Sequence, residues 1–279
     1  MFEKGLLAGK RILVTGGGSG LGAAMGRRFL ELGAELMICG RRLELLEQTA
    51  AEMRKTAGAK VEVHRCDIRD GAQVDAMIDT AFGQAPLDAL INNAAATFIA
   101  QTEHLSFRAA DAILAPTLHG AMYCTLATGK RWVETGHKGV VLSILSTSTI
   151  TGRAFTVPSA MAKSAVLAMT KSLAVEWGPK GVRLVAIAPG AFPTAGASGQ
   201  LRPEGRDPSW AARNPLGRAG EHLELANLAS FLISDAAAYI NGEMVVVDGG
   251  AHLRTSGAED LLQWTDAQWD ELRAARTKG

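Results

Sequence analysis

Thr15-Gly16-Gly17-Gly18-Ser19-Gly20-Leu21-Gly22 is the stretch that decides the fold. It follows the apolar run Arg11-Ile12-Leu13-Val14-Thr15, which reads as a first buried strand. It opens a helical pattern over Leu21 to Leu32 that stops at Gly33. Glycines let a backbone turn tightly and approach a pyrophosphate, and a helix start offers unpaired N–H groups to its charge. Placed between a first strand and a helix, the turn predicts a dinucleotide site. Thr15, Gly16, Gly18, Ser19, Gly20, Leu21 and Gly22 are its expected contacts.

Working outward, short β-rich runs alternate with longer helical patterns. Strands are expected at Glu35–Cys39, Val61–Arg65, Ala89–Asn92, Val140–Ile144, Arg183–Ala188 and Glu243–Val247. Helices are expected at Leu43–Thr56, Ala72–Phe82, Phe107–Thr135, Ser159–Trp177 and Glu221–Ser234, with Pro116 bending or interrupting the third of these. Strict alternation implies βαβ units. The expected fold is therefore α/β: a Rossmann-type, doubly wound parallel sheet of seven strands with helices on both faces, in a single domain. Residues 1–250 form the nucleotide-binding domain. Within it, the irregular segment 189–220 is long enough to be a substrate loop. Residues 251–279 read as an amphipathic C-terminal extension, with possible capping boxes at Ser256/Glu259 and Thr265/Gln268.

Composition narrows the function. The chain has 279 residues, 47% of them hydrophobic and 20% charged, and a net charge of +1, which does not favour nucleic acid or an acidic membrane as partner. No uninterrupted apolar stretch is long enough to span a bilayer, and the first residues lack a signal-peptide layout. The three cysteines, Cys39, Cys66 and Cys124, are widely spaced, which fits reduced thiols in the cytoplasm and supplies no metal motif.

The motif Thr-Gly-x-x-x-Gly-x-Gly at 15–22 resembles that of the short-chain dehydrogenase/reductase family, and the resemblance covers residues 10 to 250. That family places an acid at the end of the second strand when it uses NAD. Here Ile38-Cys39-Gly40-Arg41-Arg42 holds none. A carboxylate would repel a 2′-phosphate, whereas a guanidinium pairs with it. NADP(H) is therefore the expected cofactor, with Arg41 as the main phosphate partner and Arg42 assisting. Two arginines at a helix start oppose its dipole, which also favours a bound anion there. The resemblance further implies that Asp67 and Ile68 flank the adenine. It implies that Asn93, Ala94 and Ala95 line the cofactor after the fourth strand, and that Pro189, Gly190 and Thr194 hold the nicotinamide carboxamide. It gives Asp248-Gly249-Gly250 a structural part.

The family's main branch uses Tyr-x-x-x-Lys and a Ser to work on a carbonyl. Lys163 matches the Lys, which binds the nicotinamide ribose, and Ser146 matches the Ser. Ser159 stands where the Tyr belongs. An aliphatic hydroxyl is a poor acid or base near neutrality. The two tyrosines of the chain, Tyr123 and Tyr239, read as packing residues. The 2,4-dienoyl-CoA reductases also lack Tyr at this position. Asn92-Asn93-Ala94-Ala95, Val157-Pro158-Ser159-Ala160, Ala174-Val175-Glu176-Trp177-Gly178 and Gln200-Leu201-Arg202-Pro203 resemble that branch. Its mitochondrial type carries a Tyr where this chain has Ser148, and its peroxisomal type an Asp where this chain has Thr117.

The candidate catalytic residues are thus Lys163, Ser146, Ser148, Ser159, Thr117 and His119. The basic residues Arg202, Arg206, Arg213 and Arg218 are candidates for CoA phosphates. The resemblance implies an NADPH-dependent reductase of a conjugated C=C bond in a dienoyl- or enoyl-CoA, assembled as a homotetramer. Two alternatives stay open: a carbonyl or alcohol oxidoreductase with a displaced acid, and a nucleotide-binding protein that has lost catalysis.

Overall fold

A computed structural model describes residues 2–55, 59–194, 214–254 and 257–276. Seven parallel strands form one sheet in the order β3-β2-β1-β4-β5-β6-β7. They are β1 (Arg11–Thr15), β2 (Glu35–Gly40), β3 (Val61–Arg65), β4 (Ala89–Asn92), β5 (Gly139–Ile144), β6 (Val182–Pro189) and β7 (Met244–Val247). The order reverses between β1 and β4, and the crevice above that switch point is where such sheets take ligands.

Long helices follow the strands: α1 (Gly20–Glu31), α2 (Leu43–Arg54), α3 (Gly71–Gln84), α4 (Phe107–Leu114) and α5 (Gly120–Thr135). After them come the short α6 (Ser148–Thr151), α7 (Val157–Trp177), α8 (His222–Ile233) and α9 (Asp266–Arg276). One apolar layer gathers Met25, Phe29, Leu46, Met53 and Leu225 from α1, α2 and α8 on one face of the sheet. The other gathers Val74, Ile78, Trp132 and Trp177 from α3, α5 and α7. Buried on both sides, the central strands need continuous apolar runs, which is how β1, β2 and β4 read.

The boundaries follow local chemistry. Asp70 accepts from Ala72 and Gln73 N–H to start α3, and Ser106 accepts from Ala109 N–H to start α4. Gly136, at φ 68°, stops α5 in the left-handed conformation. The run expected from Phe107 to Thr135 is divided by one π turn, Ala115–His119. Pro116 lies inside it and lacks the N–H that an α-turn would use, so the interruption falls where its chemistry requires.

Some expectations fall outside the described residues. These are residues 195–213 of the expected substrate loop, with Arg202, Arg206, Arg213 and the stretch Gln200-Leu201-Arg202-Pro203 among them, and the Ser256 capping box. The second box is present: Thr265 N–H donates to Gln268 Oε1 at 2.8 Å, and Gln268 N–H donates back to Thr265 Oγ1 at 3.4 Å. Trp264 and Trp269 pack together with ring centroids 5.0 Å apart. Among the described residues no helix is long and apolar enough to cross a membrane.

Candidate active site

At the switch point the Gly-rich turn joins β1 to α1. Ser19 precedes the helix with extended backbone, and its side chain caps nothing. The first bond back along α1 comes from Ala23 N–H to Ser19 O, so the amides before it point into the crevice. Gly22 is pressed on the turn so tightly that a Cβ there would lie 2.5 Å from both Asn93 Nδ2 and Gly16 O. Gly16 itself has φ +66°, a conformation that disfavours any side chain. This is a cradle of backbone N–H groups kept free of side chains, and it fits a pyrophosphate.

Two expected contact residues sit beneath that cradle. Thr15 is buried, and its hydroxyl donates to Ile91 O (3.1 Å) while accepting from Asn93 N–H (3.0 Å) and Ala94 N–H (3.1 Å). Asn93 Nδ2 donates to Thr15 O (2.9 Å) and Gly16 O (3.3 Å). Both side chains brace the ends of β1 and β4 and are spent on backbone. Thr49, which the sequence reading passed over, does the same from α2: its hydroxyl donates to Gly18 O at 2.8 Å. A lone buried Thr on the apolar face of α2 was the signal for it.

At the ends of β2 and β3, Arg41 and Arg42 are exposed at the entry to α2, and Arg42 occupies its N-cap position without a side-chain capping bond. Ile68 is buried against Gly120, where a Cβ would come within 2.5 Å of its Cδ1. The Asp67 carboxylate is gripped by Arg69: Nε lies 2.9 Å from Oδ1 and 3.1 Å from Oδ2, and Nη2 lies 2.5 Å from Oδ2. Arg69 therefore holds Asp67 below the usual carboxylate range, and the more distant charge of Arg41 adds to this.

The other end of the candidate site is built from β5, α6, α7 and the π turn. Lys163, in the second turn of α7, is 8% exposed, and its Nζ donates to Ile144 O, the last carbonyl of β5, at 2.5 Å. Burial lowers its pKa to about 8. Ser159 lies one turn earlier on the same face and is half-buried. Ser146 follows β5, and its Oγ accepts from Ser148 N–H at 3.3 Å; Ser148 itself is buried. Lys163, Ser146 and Ser148 are thus gathered around the end of β5, with Ser159 one helical turn before Lys163.

Thr117 has a different task. Buried in the π turn, its hydroxyl accepts from Ala96 N–H (3.0 Å) and donates to Ala96 O (3.2 Å). It fastens the loop after β4, which carries Ala94 and Ala95. His119 does not share that face: it is exposed and stacks on Tyr123, with ring centroids 6.1 Å apart. Two residues apart, Thr117 and His119 lie on nearly opposite sides of the helix.

After β6, Gly190 passes so close to Asp248 that a Cβ would meet its Cβ at 2.5 Å. Pro189 O accepts from Thr147 N–H (3.4 Å), which joins this strand end to the segment between Ser146 and Ser148. Thr194 lies over the cradle, its methyl 3.3 Å from where a Cβ on Gly20 would be. The Asp248 carboxylate accepts from Gly250 N–H (2.9 Å), His252 N–H (2.8 Å) and the His252 ring (2.8 Å), so it serves the turn after β7. Arg218 is bound in two places to Glu224 (2.8 and 2.6 Å).

A family model described as enoyl-(acyl carrier protein) reductase matches residues 16–252. A probable 2,4-dienoyl-CoA reductase 3 of Caenorhabditis elegans is 42% identical over 98% of this chain and 91% of its own. A probable 2,4-dienoyl-CoA reductase of Bacillus subtilis is 40% identical over 88% of this chain and 97% of its own. Among solved structures, a gluconate 5-dehydrogenase from Burkholderia cenocepacia in complex with NADP and tartrate superposes with a TM-score of 0.84 at 29% identity, covering 90% of this chain and 99% of that one. With its parallel sheet, its glycine cradle and these relatives, the chain belongs to the short-chain dehydrogenase/reductase family of oxidoreductases, and most resembles the 2,4-dienoyl-CoA reductase branch.

Proposed function

We propose that the protein is an NADPH-dependent reductase of a conjugated C=C bond in a 2,4-dienoyl-CoA or enoyl-CoA of fatty acid metabolism. The observation that carries this reading is the site around the end of β5, where a buried Lys163 is bound to Ile144 O and a serine, Ser159, stands one helical turn before it in place of a phenol. The residues fit the cofactor. The cradle at Gly16–Gly22 takes the pyrophosphate, Arg41 and Arg42 take the 2′-phosphate, and Asp67 and Ile68 flank the adenine. Lys163 takes the ribose hydroxyls, and the segment Pro189–Thr194 takes the carboxamide. When bound, reduced nicotinamide supplies a hydride.

The protein's own work is then electrostatic. As hydride reaches the far end of the conjugated system, negative charge collects on the thioester oxygen. Stabilising that charge matters more than proton transfer in concert with it. Lys163 supplies positive charge, and the hydroxyls of Ser146 and Ser159 supply donors. Water delivers the proton to carbon in a later step, so no tyrosine is needed. Reduction of a simple ketone, by contrast, needs a proton at the oxygen as hydride arrives, and an aliphatic hydroxyl supplies it poorly.

The resemblance also supports a homotetramer, and the three widely spaced cysteines are in keeping with reduced thiols in the cytoplasm. One side-by-side assay tests the reading: purified protein and NADPH with a dienoyl-CoA, an enoyl-CoA and a simple ketone. Turnover of the dienoyl-CoA or enoyl-CoA above the ketone is expected. Ketone turnover in excess would favour a carbonyl oxidoreductase, and NADPH binding with no turnover would favour a protein that has lost catalysis.

A further inference from the structure

Among the described residues Phe155 is the one non-glycine with a left-handed backbone, at φ 64°. A bulky side chain strains that conformation, and such outliers gather at ligand sites. The core does not account for the ring. It is 55% exposed and belongs to none of the apolar clusters that the described residues form. A glycine would suit this backbone and take nothing from those clusters.

Its place is specific. Phe155 lies in the loop between α6, which carries Ser148, and α7, which carries Ser159 and Lys163. Its carbonyl accepts from Ala100 N–H at 3.0 Å. That bond ties the loop to the segment after β4, which Thr117 already fastens at Ala96. Between the two fastenings stand Phe98 and Ile99, half-buried and likewise outside the apolar clusters. Large apolar side chains left out of the core thus stand on two pinned loops that border the candidate site. They offer burial and dispersion but no hydrogen bond, so the ligand that matches them is a hydrocarbon chain.

We propose that Phe155 is a specificity-determining residue, whose ring, with Phe98 and Ile99, receives the apolar chain of an acyl thioester. The inference rests on the acyl-CoA reading above. It explains why a strained backbone position holds an exposed aromatic ring.

Calorimetric titration of the full chain, in the presence of NADP+, with decanoyl-CoA, hexanoyl-CoA and coenzyme A tests this without turnover. Wild type is expected to bind decanoyl-CoA at least about tenfold more tightly than hexanoyl-CoA, since more methylenes leave water. Phe155→Gly should cut that ratio to about threefold or less, and leave coenzyme A within about twofold of wild type. Phe155→Leu keeps an apolar side chain and should hold most of the ratio. Phe155→Gly should also unfold within a few degrees of wild type, because relief of the strained backbone offsets the freer unfolded chain. An unchanged ratio in Phe155→Gly, or coenzyme A weakened as much as decanoyl-CoA, overturns the inference. So does a Phe155→Gly that loses its fold or its oligomeric mass in light scattering, which would assign the ring to packing or to a second copy of this chain. Wild type that binds no acyl-CoA overturns both the inference and the reading it rests on. Wild type that prefers decanoyl-CoA but oxidises no NADPH with a dienoyl-CoA or an enoyl-CoA overturns the reductase reading alone.

Discussion

Lys163 Nζ donates to the carbonyl oxygen of Ile144 across the junction of α7 and β5. The bond fixes the one buried ammonium of the site at the end of the strand that also presents Ser146. It places a positive charge where the described residues offer no neighbouring carboxylate, and burial lowers the pKa to about 8.

That shift predicts a pH dependence of stability. The pKa in the folded state lies below the ordinary lysine value, so between about pH 8 and 10.5 the unfolded chain binds the additional proton. Stability conferred by position 163 should therefore be lowest below pH 8 and rise with pH through this window. Lys163→Met removes the penalty, and at neutral pH it should be the more stable protein by on the order of 3 kcal/mol. Urea unfolding of both proteins without cofactor, from pH 7 to 10, should show the gap closing as pH rises.

The cradle predicts a steric effect. Gly22→Ala sets a Cβ 2.5 Å from Asn93 Nδ2 and Gly16 O, both held by other bonds. The expected cost is about 1–3 kcal/mol, with loss of NADPH binding. Thermal unfolding and cofactor titration measure the two together.

Thr117 predicts a loosened loop. Thr117→Val keeps the shape and leaves both Ala96 N–H and Ala96 O without their partner. Stability should fall by about 1–3 kcal/mol. Hydrogen exchange at the Ala96 amide should rise more than exchange in β4.

Position 159 predicts a change of chemistry. Ser159→Tyr places a phenol one helical turn from Lys163, and general acid catalysis is worth roughly a hundredfold or more. NADPH-dependent reduction of a simple ketone should rise by on the order of a hundredfold over wild type. An unchanged ketone rate in a folded variant would show that the tyrosine gap does not decide the substrate.

The order of elements was legible because each strand is a short apolar run and each helix a longer periodic one, punctuated by Gly33, Pro116 and Gly178. The Gly-rich turn was legible for a stronger reason: few backbones other than a ligand cradle need Gly16, Gly20 and Gly22 together. The duties of Thr15, Asn93 and Thr117 were not. Each bonds a residue far along the chain, such as Ile91 or Ala96, and spacing alone cannot tell a buried brace from a ligand contact. His119 and Thr117 are two residues apart and face apart on any helix, so their spacing already argued against a shared face.

The central claim is that Lys163, without a tyrosine, supports reduction of a conjugated thioester. Its most direct test follows the absorbance of NADPH with 2,4-hexadienoyl-CoA in wild type and Lys163→Ala. Oxidation of NADPH in wild type, reduced by on the order of a hundredfold or more in the variant, is the predicted result. Bound NADPH that is not oxidised by dienoyl-CoA, or turnover that survives unchanged in Lys163→Ala, would contradict it.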